Sequence, residues 1–427
     1  MKDSKHLEVS IIGGGFSGLN SALILGKKAV KCEIYTTGYG ASNLWMGTFD
    51  FLNYKYNNIK RSFQAFKDEH SNHPYSFFTY GEIKNALESF FREFPELTYF
   101  TNNEEFVNKE VLTSIGTSKP CLGVWNSLFY EFISLVEHSN VLLIGFKEFN
   151  NSALNLVKKG LEEKYDSNFY LLNLSFRELS IELEEKDPDS TLKSKLTEFK
   201  LGRFFDSNYE NLKKFSDLIR RETKKQFQEG SKLEFDHCLF PPILGVDKNQ
   251  EILDTLSLYL NSNCKELIAL SPSLIANRLM NLYEEKLQKY NIKINKGKSL
   301  TSMETKKIKN QRFWNLHFED RTGKEESILS RYVIFSNGSM FQAGMFETER
   351  EMKKKLGALM IDVPNKVDHT FQLTFNKRKE PTNLYVCGSA LFNLWDQISD
   401  EIEIKHGTGL GLSIISSYRI GQVLLNR

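Results

Sequence analysis

Short, unbroken apolar runs alternate with helical patterns along this chain, and the alternation predicts an α/β fold. Val9–Ile12 is the first run; three glycines follow it, and a helix opens behind them. Lys31–Tyr35 reads as a second strand, and residues from about 60 to 110 read as helical, among them Tyr80–Phe94, which ends before Pro95. Val141–Phe146 is wholly apolar, Ala153–Lys164 has helical spacing and Tyr170–Leu174 reads as a strand, so the middle of the chain is itself α/β. Ser271-Pro272-Ser273 opens a helix, with proline suited to its first turn. Ile292–Ile294, Trp314–Phe318, Tyr332–Phe335 and Leu384–Val386 predict further strands, and a last helix follows Gly407–Gly411 to about Leu425. The charge-dense residues 182–232 read as solvated helix faces.

The joint between the first strand and its helix carries Gly13-x-Gly15-x-x-Gly18, with Phe16 and Ser17 inside it. Gly13 suits a tight turn, Gly15 a close approach of pyrophosphate to the backbone, and Gly18 a close helix–sheet contact. Free N–H groups and the helix dipole favour an anion there. Strand before, helix behind and strand after together predict a dinucleotide or flavin site. The second strand departs from the fingerprint: it ends Thr36-Thr37 where an acidic ribose ligand is expected, and Glu33 lies mid-strand. The motif therefore speaks for phosphate more firmly than for adenosine. The small, polar stretch 38–50, with Gly47 and Thr48, leaves the carboxyl end of a parallel strand, where ligands bind in open α/β sheets. Gly338 and Gly388 end two later strands, and Gly407-Thr408-Gly409 opens the last helix; a doubly wound sheet would bring all of these to one ligand.

Composition narrows the partners. A chain of 427 residues suggests two or three domains. Its net charge of +2, from 56 basic and 54 acidic residues, implies no nucleic acid. Five scattered cysteines without a CxxC encode neither a zinc site nor an iron–sulfur cluster and fit a reducing, cytoplasmic setting. His70 and His73 precede Pro74 in what reads as a loop, so no metal site is expected. The N-terminal apolar run, broken by glycines and Asn20, is a poor signal peptide, and no stretch of 18 apolar residues predicts a membrane span.

Val9–Leu19, Tyr332–Gly338, Leu384–Gly388 and Gly407–Gly411 resemble the four flavin-contact motifs of the two-domain, glutathione-reductase-type flavoproteins. A closer resemblance is to the B-subunit family of the anaerobic glycerol-3-phosphate dehydrogenases. It rests on Gly47–Leu52, Leu122–Trp125, Phe240–Gly245, and Ser271–Leu274 with Arg278-Leu279. The resemblance implies a flavin-carrying chain beside a catalytic FAD subunit and an iron–sulfur subunit, the latter docked at the membrane and passing electrons to quinone. The bacterial B subunit is thought to carry FMN, which sits well with Thr36; the complete glycine cradle leaves FAD open.

The expected fold is α/β, with a Rossmann-like flavin domain discontinuous over 1–60, 270–345 and 380–427 and an inserted α+β substrate or interface domain over 61–269 and 346–379. The expected reaction is flavin-dependent oxidation of glycerol 3-phosphate to dihydroxyacetone phosphate. His406 is the candidate base for the hydroxyl proton, and Arg278 and Lys405 are candidates for the substrate phosphate. A stand-alone flavoenzyme acting on a small hydroxy or keto acid, or a non-catalytic scaffold subunit, are the alternatives. Membrane contact would come only through a partner.

Overall fold

The computed structural model describes residues 5–71, 73–113, 117–130, 138–148, 152–179, 190–227, 234–268, 273–338, 366–374, 381–393 and 409–427. Lys405, His406, Gly407 and Thr408, and with them the proposed base, lie outside the described residues.

In chain order, β1 (Lys5–Ile12) leads through the glycines into α1 (Phe16–Gly26) and β2 (Cys32–Thr36). The middle of the chain holds β3 (Asn140–Phe146), β4 (Asn168–Leu174), α2 (Ser190–Ser207), β5 (His237–Phe240), α3 (Asn249–Leu260) and β6 (Asn263–Glu266). Then come α4 (Leu274–Lys289), β7 (Lys293–Lys296), β8 (Lys298–Ile308), β9 (Gln311–Asp320), β10 (Glu325–Phe335), β11 (Leu384–Val386) and α5 (Gly409–Leu425).

A seven-stranded sheet runs β7-β2-β1-β10-β9-β8, with β11 also paired to β10. β7, β2, β1, β10 and β11 are parallel, while β8, β9 and β10 form an antiparallel meander. β1 sits between β2 and β10, and Val9 and Ile11 are fully buried. A strand covered on both faces has no reason to alternate polar and apolar residues, hence the unbroken run. α1 and α5 pack together: Asn20 Nδ2 donates to Ser417 Oγ at 2.7 Å, and a Cβ on Gly421 would lie 2.6 Å from Ile24 Cγ2. This is the α/β, Rossmann-like architecture the apolar runs predict.

The inserted segment has a second sheet, β4-β3-β5-β6, all parallel, with its own apolar core around Leu142, Ile144, Phe215 and Phe240. The expected α+β insert is thus α/β in its main sheet, with small antiparallel pieces beside it. Thr48–Phe49 belongs to one of these pieces, paired with Gly123–Trp125. No helix among the described residues is long and apolar enough to cross a membrane.

A candidate cofactor cleft

A cleft of about 960 Å³ opens at the carboxyl ends of β1, β2 and β10. One wall is the glycine turn itself, Gly13–Ser17. Gly13 has φ +115°, which a side chain rarely adopts, and a Cβ there would lie 2.5 Å from Ser336 O at the end of β10. A Cβ on Gly18 would lie 2.1 Å from Gly13 O, so this glycine fixes how closely α1 approaches the turn. The sequence pattern is thus explained by backbone touching backbone, and the start of α1 faces the cleft without a capping side chain from Gly15. A helix leaves its first N–H groups without partners inside the helix, which makes this wall an anion-binding surface.

The second wall is the segment that leaves β2. Thr36, Thr37, Gly38, Tyr39, Gly40 and Ala41 line the cleft, followed by Ser42, Leu44 and Trp45. Thr36 is buried, and its hydroxyl accepts from Gly38 N at 3.1 Å while donating to Gly38 O, so it closes a local turn. Glu33 points elsewhere: it binds Lys5, Tyr35 and Asn295, and these donors hold its carboxyl below the usual carboxylate range against the opposing effect of burial. Ser42, carried on a 3₁₀ turn (Gly40–Leu44), accepts a hydrogen bond from Phe16 N at 2.9 Å. Trp45 stands edge-on to Phe16, ring centroids 5.9 Å apart.

The third wall comes from β8. Lys298, Ser299, Leu300 and Thr301 line the cleft beyond Thr36. Lys298 Nζ lies 3.5 Å from Asp320 Oδ2 and 3.2 Å from Glu326 Oε2, so its charge is matched inside the fold. Ser336, Asn337, Gly338, Ser389, Leu410 and Ser413 complete the lining.

The sequence-derived site residues therefore divide. Gly13, Gly15, Phe16, Ser17, Thr36, Thr37 and Gly338 line one cleft, and Gly18 backs it. Gly388 (φ +69°) packs on Ser17, where a Cβ would lie 2.5 Å from its Oγ, and Gly409 starts α5 just before the lining Leu410. Gly47 and Thr48 stand behind the wall, their carbonyls accepting from Trp125 N at 2.8 Å and Trp45 Nε1 at 2.7 Å. Ser42 and the β8 residues are lining groups that no motif marks.

Arg278 is also outside the lining. On α4, it is buried, and its guanidinium grips Glu266 at the end of β6: Nη1 to Oε2 at 2.6 Å and Nη2 to Oε1 at 3.0 Å. Its Nε donates to Gly245 O at 2.8 Å. Glu266 accepts in addition from Ser127 Oγ at 2.6 Å and Leu244 N at 2.8 Å. The guanidinium proposed for a substrate phosphate thus has a carboxylate partner in the fold. Glu198, on α2, feels the same pair: burial and the Glu266 charge push its carboxyl up to about 7, with Arg278 opposing.

Over 98% of its length the chain aligns, at 21% identity, with the anaerobic glycerol-3-phosphate dehydrogenase B subunit of Actinobacillus pleuropneumoniae, covering 98% of that protein. The protein of the same name from Haemophilus influenzae is 22% identical over 98% of this chain and 99% of its own. That from Mannheimia succiniciproducens is 22% identical over 82% of this chain and 78% of its own. Its full-length relatives are glycerol-3-phosphate dehydrogenase B subunits. No protein-family model matches. Among solved structures, THI4 of Thermovibrio ammonificans aligns with a TM-score of 0.36 at 10% identity, covering 99% of this chain and 91% of that one. A 3-ketosteroid Δ1-dehydrogenase from Sterolibacterium denitrificans aligns at 0.32 and 11%, covering 87% and 52%. Likenesses this loose say nothing further of function. Of the blocks that carry the B-subunit resemblance, Trp125, Leu244-Gly245 and Arg278 meet around Glu266.

Proposed function

We propose that this chain is the flavin-carrying B subunit of an anaerobic glycerol-3-phosphate dehydrogenase. The observation that carries the reading is the meeting of two facts: a glycine-walled cleft with a helix N-terminus facing it, and relatives of that name along 98% of the chain. The residues fit the cofactor. Gly13, Gly15 and the start of α1 would hold its phosphate, Gly338 and Leu410 would lie along the rest of it, and the flavin would supply hydride or electron transfer. In this reading electrons leave through an iron–sulfur partner subunit, in keeping with a sequence that has no cluster cysteines of its own. His406 is the base we propose for the substrate hydroxyl, and Lys405 a contact for its phosphate.

Two features bear on which flavin is held. Thr36 spends its hydroxyl on Gly38, which leaves the ribose position without a charged partner and favours FMN. The cleft continues past Thr36 to Lys298–Thr301, which gives room for the adenylate half of FAD. Heat release of the cofactor from purified protein, followed by chromatography, decides between them. A yellow protein that releases FMN or FAD supports the reading; protein that stays colourless after incubation with both refutes it. Co-expression with the neighbouring genes and a search for a cysteine-rich chain in the purified complex tests the relay. Turnover of glycerol 3-phosphate with a dye acceptor by this chain alone would refute a purely electron-relaying role.

A further inference from the structure

We propose that Ser42 makes the cleft selective for a phosphorylated flavin by donating its hydroxyl proton to the phosphate; this rests on the flavin reading above. A serine hydroxyl has one proton to give and two lone pairs to accept with. One lone pair takes the N–H of Phe16, the first residue of α1, at 2.9 Å. Among the described residues nothing takes the proton. Ser42 is 6% exposed, yet it lines the cleft, so the group that does take it must enter the cleft.

Its position suits a phosphate. A Cβ built on Gly15 would have Ser42 Oγ as its nearest neighbour, at 3.3 Å, so the hydroxyl stands beside the glycine at which the backbone opens to the cleft. The turn is braced, with Ser42 N donating to Tyr39 O at 3.2 Å and Trp45 N donating to Ser42 O at 3.3 Å. An N–H donated into Oγ polarises the O–H bond and strengthens what that proton can donate next. Ser42 thereby passes the positive end of α1 onward into the cleft by one bond.

Charge makes this donor matter. The one cation among the described lining residues is Lys298, and Asp320 and Glu326 already face its ammonium. A phosphate here is held by neutral donors, and each of them carries a large share of the selectivity.

The test is a comparison of ligands. Flavin-free protein, wild type and Ser42→Ala, is titrated with FMN, FAD and riboflavin, following the change in flavin fluorescence, and the melting temperature of each ligand-free protein is recorded. Losing one hydrogen bond to a charged group predicts about tenfold to hundredfold weaker binding of the phosphorylated flavins. Riboflavin, which has no phosphate, should bind both proteins equally, and the ligand-free melting temperature should not move. Equal weakening of riboflavin, or no weakening of any ligand, would overturn the role of Ser42. Wild-type protein that binds none of the three would bring down the flavin reading itself, and the proposal with it. Should Ser42→Ala fail to fold, Ser42→Cys, of similar size with a weak S–H donor, carries the same comparison.

Discussion

Replacing Arg278 by Met tests the junction between α4 and the inserted sheet. The substitution keeps an unbranched apolar stem in a site where Arg278 is 2% exposed, and removes the partner of Glu266, which is 0% exposed. Breaking a buried ion pair from one side costs about 3–5 kcal/mol, because the charge left behind stays desolvated. Glu266 keeps the Ser127 hydroxyl and the Leu244 amide, which moves the cost toward the lower bound. Gly245 O loses its donor, which adds about 1 kcal/mol. The expected total is about 4 kcal/mol. Glu266→Gln alone strands the guanidinium and should cost about 3 kcal/mol. In the double variant neither charge remains, and the side-chain amide introduced by Glu266→Gln still offers a carbonyl oxygen to Leu244 N. The double variant should therefore cost about 4 kcal/mol instead of the additive ~7, a coupling of about 3 kcal/mol. Urea unfolding followed by tryptophan fluorescence is the assay, since Trp125 reaches the pair through Asn249. Additive losses would refute the claim that the two charges depend on one another.

Further outcomes follow from other parts of the fold. Glu198 has its carboxyl raised to about 7 by burial and by Glu266, so in the folded state it favours its proton. Stability from that preference is full below the unfolded value near 4.3 and is lost as pH rises through about 7. Glu198→Gln should then be neutral at pH 4–5 and stabilising by ~1–2 kcal/mol at pH 8, discounted for partial exposure, in melts across that range; the opposite slope would contradict the assignment. Gly18→Ala drives a Cβ to 2.1 Å from Gly13 O, so α1 must back away, with a loss of about 3 kcal/mol in denaturant titrations and of flavin retention on a desalting column; a variant as stable as wild type would show that the contact is not tight. All five cysteines are buried free thiols, and burial pushes Cys32 and Cys387 up to about 12. A chromogenic disulfide reagent should find no fast thiol in native protein and five after denaturation.

How far the sequence could be read depends on the range over which each feature is determined. The glycine turn is legible because strand, turn and helix are contiguous, and every contact that demands a glycine comes from backbone the fold must bring there. β11 is legible for the same reason: Leu384, Tyr385 and Val386 are all fully buried and apolar. β8 is not. Of its residues only Met303 is buried, so Lys298–Ile308 has no apolar pattern to betray a strand, although its first residues form a wall of the cleft. Ser42 is illegible too, since its meaning lies in an amide 26 positions earlier.

Arg278 is the more instructive case, because the residue type was a fair signal of an anion and the anion turned out to be internal. Periodicity places Arg278 on α4 but says nothing of Glu266, which is buried at the end of a strand from the other sheet. The residues that gather there, Trp125 through Asn249, Leu244, Gly245, Glu266 and Arg278, come largely from blocks that make this chain resemble B subunits. Their common feature is a set of interlocking hydrogen bonds at the seam between two sheets, away from the glycine cleft. The resemblance beyond the cleft therefore marks how the inserted sheet is fastened to the cofactor domain. A fastening of this kind sets where the cleft lies relative to the insert, so loosening it should alter any contact the insert makes with substrate or partner while leaving the phosphate wall of α1 in place. Flavin retention by Arg278→Met protein at temperatures below its melting point is the observation that separates these two parts of the molecule.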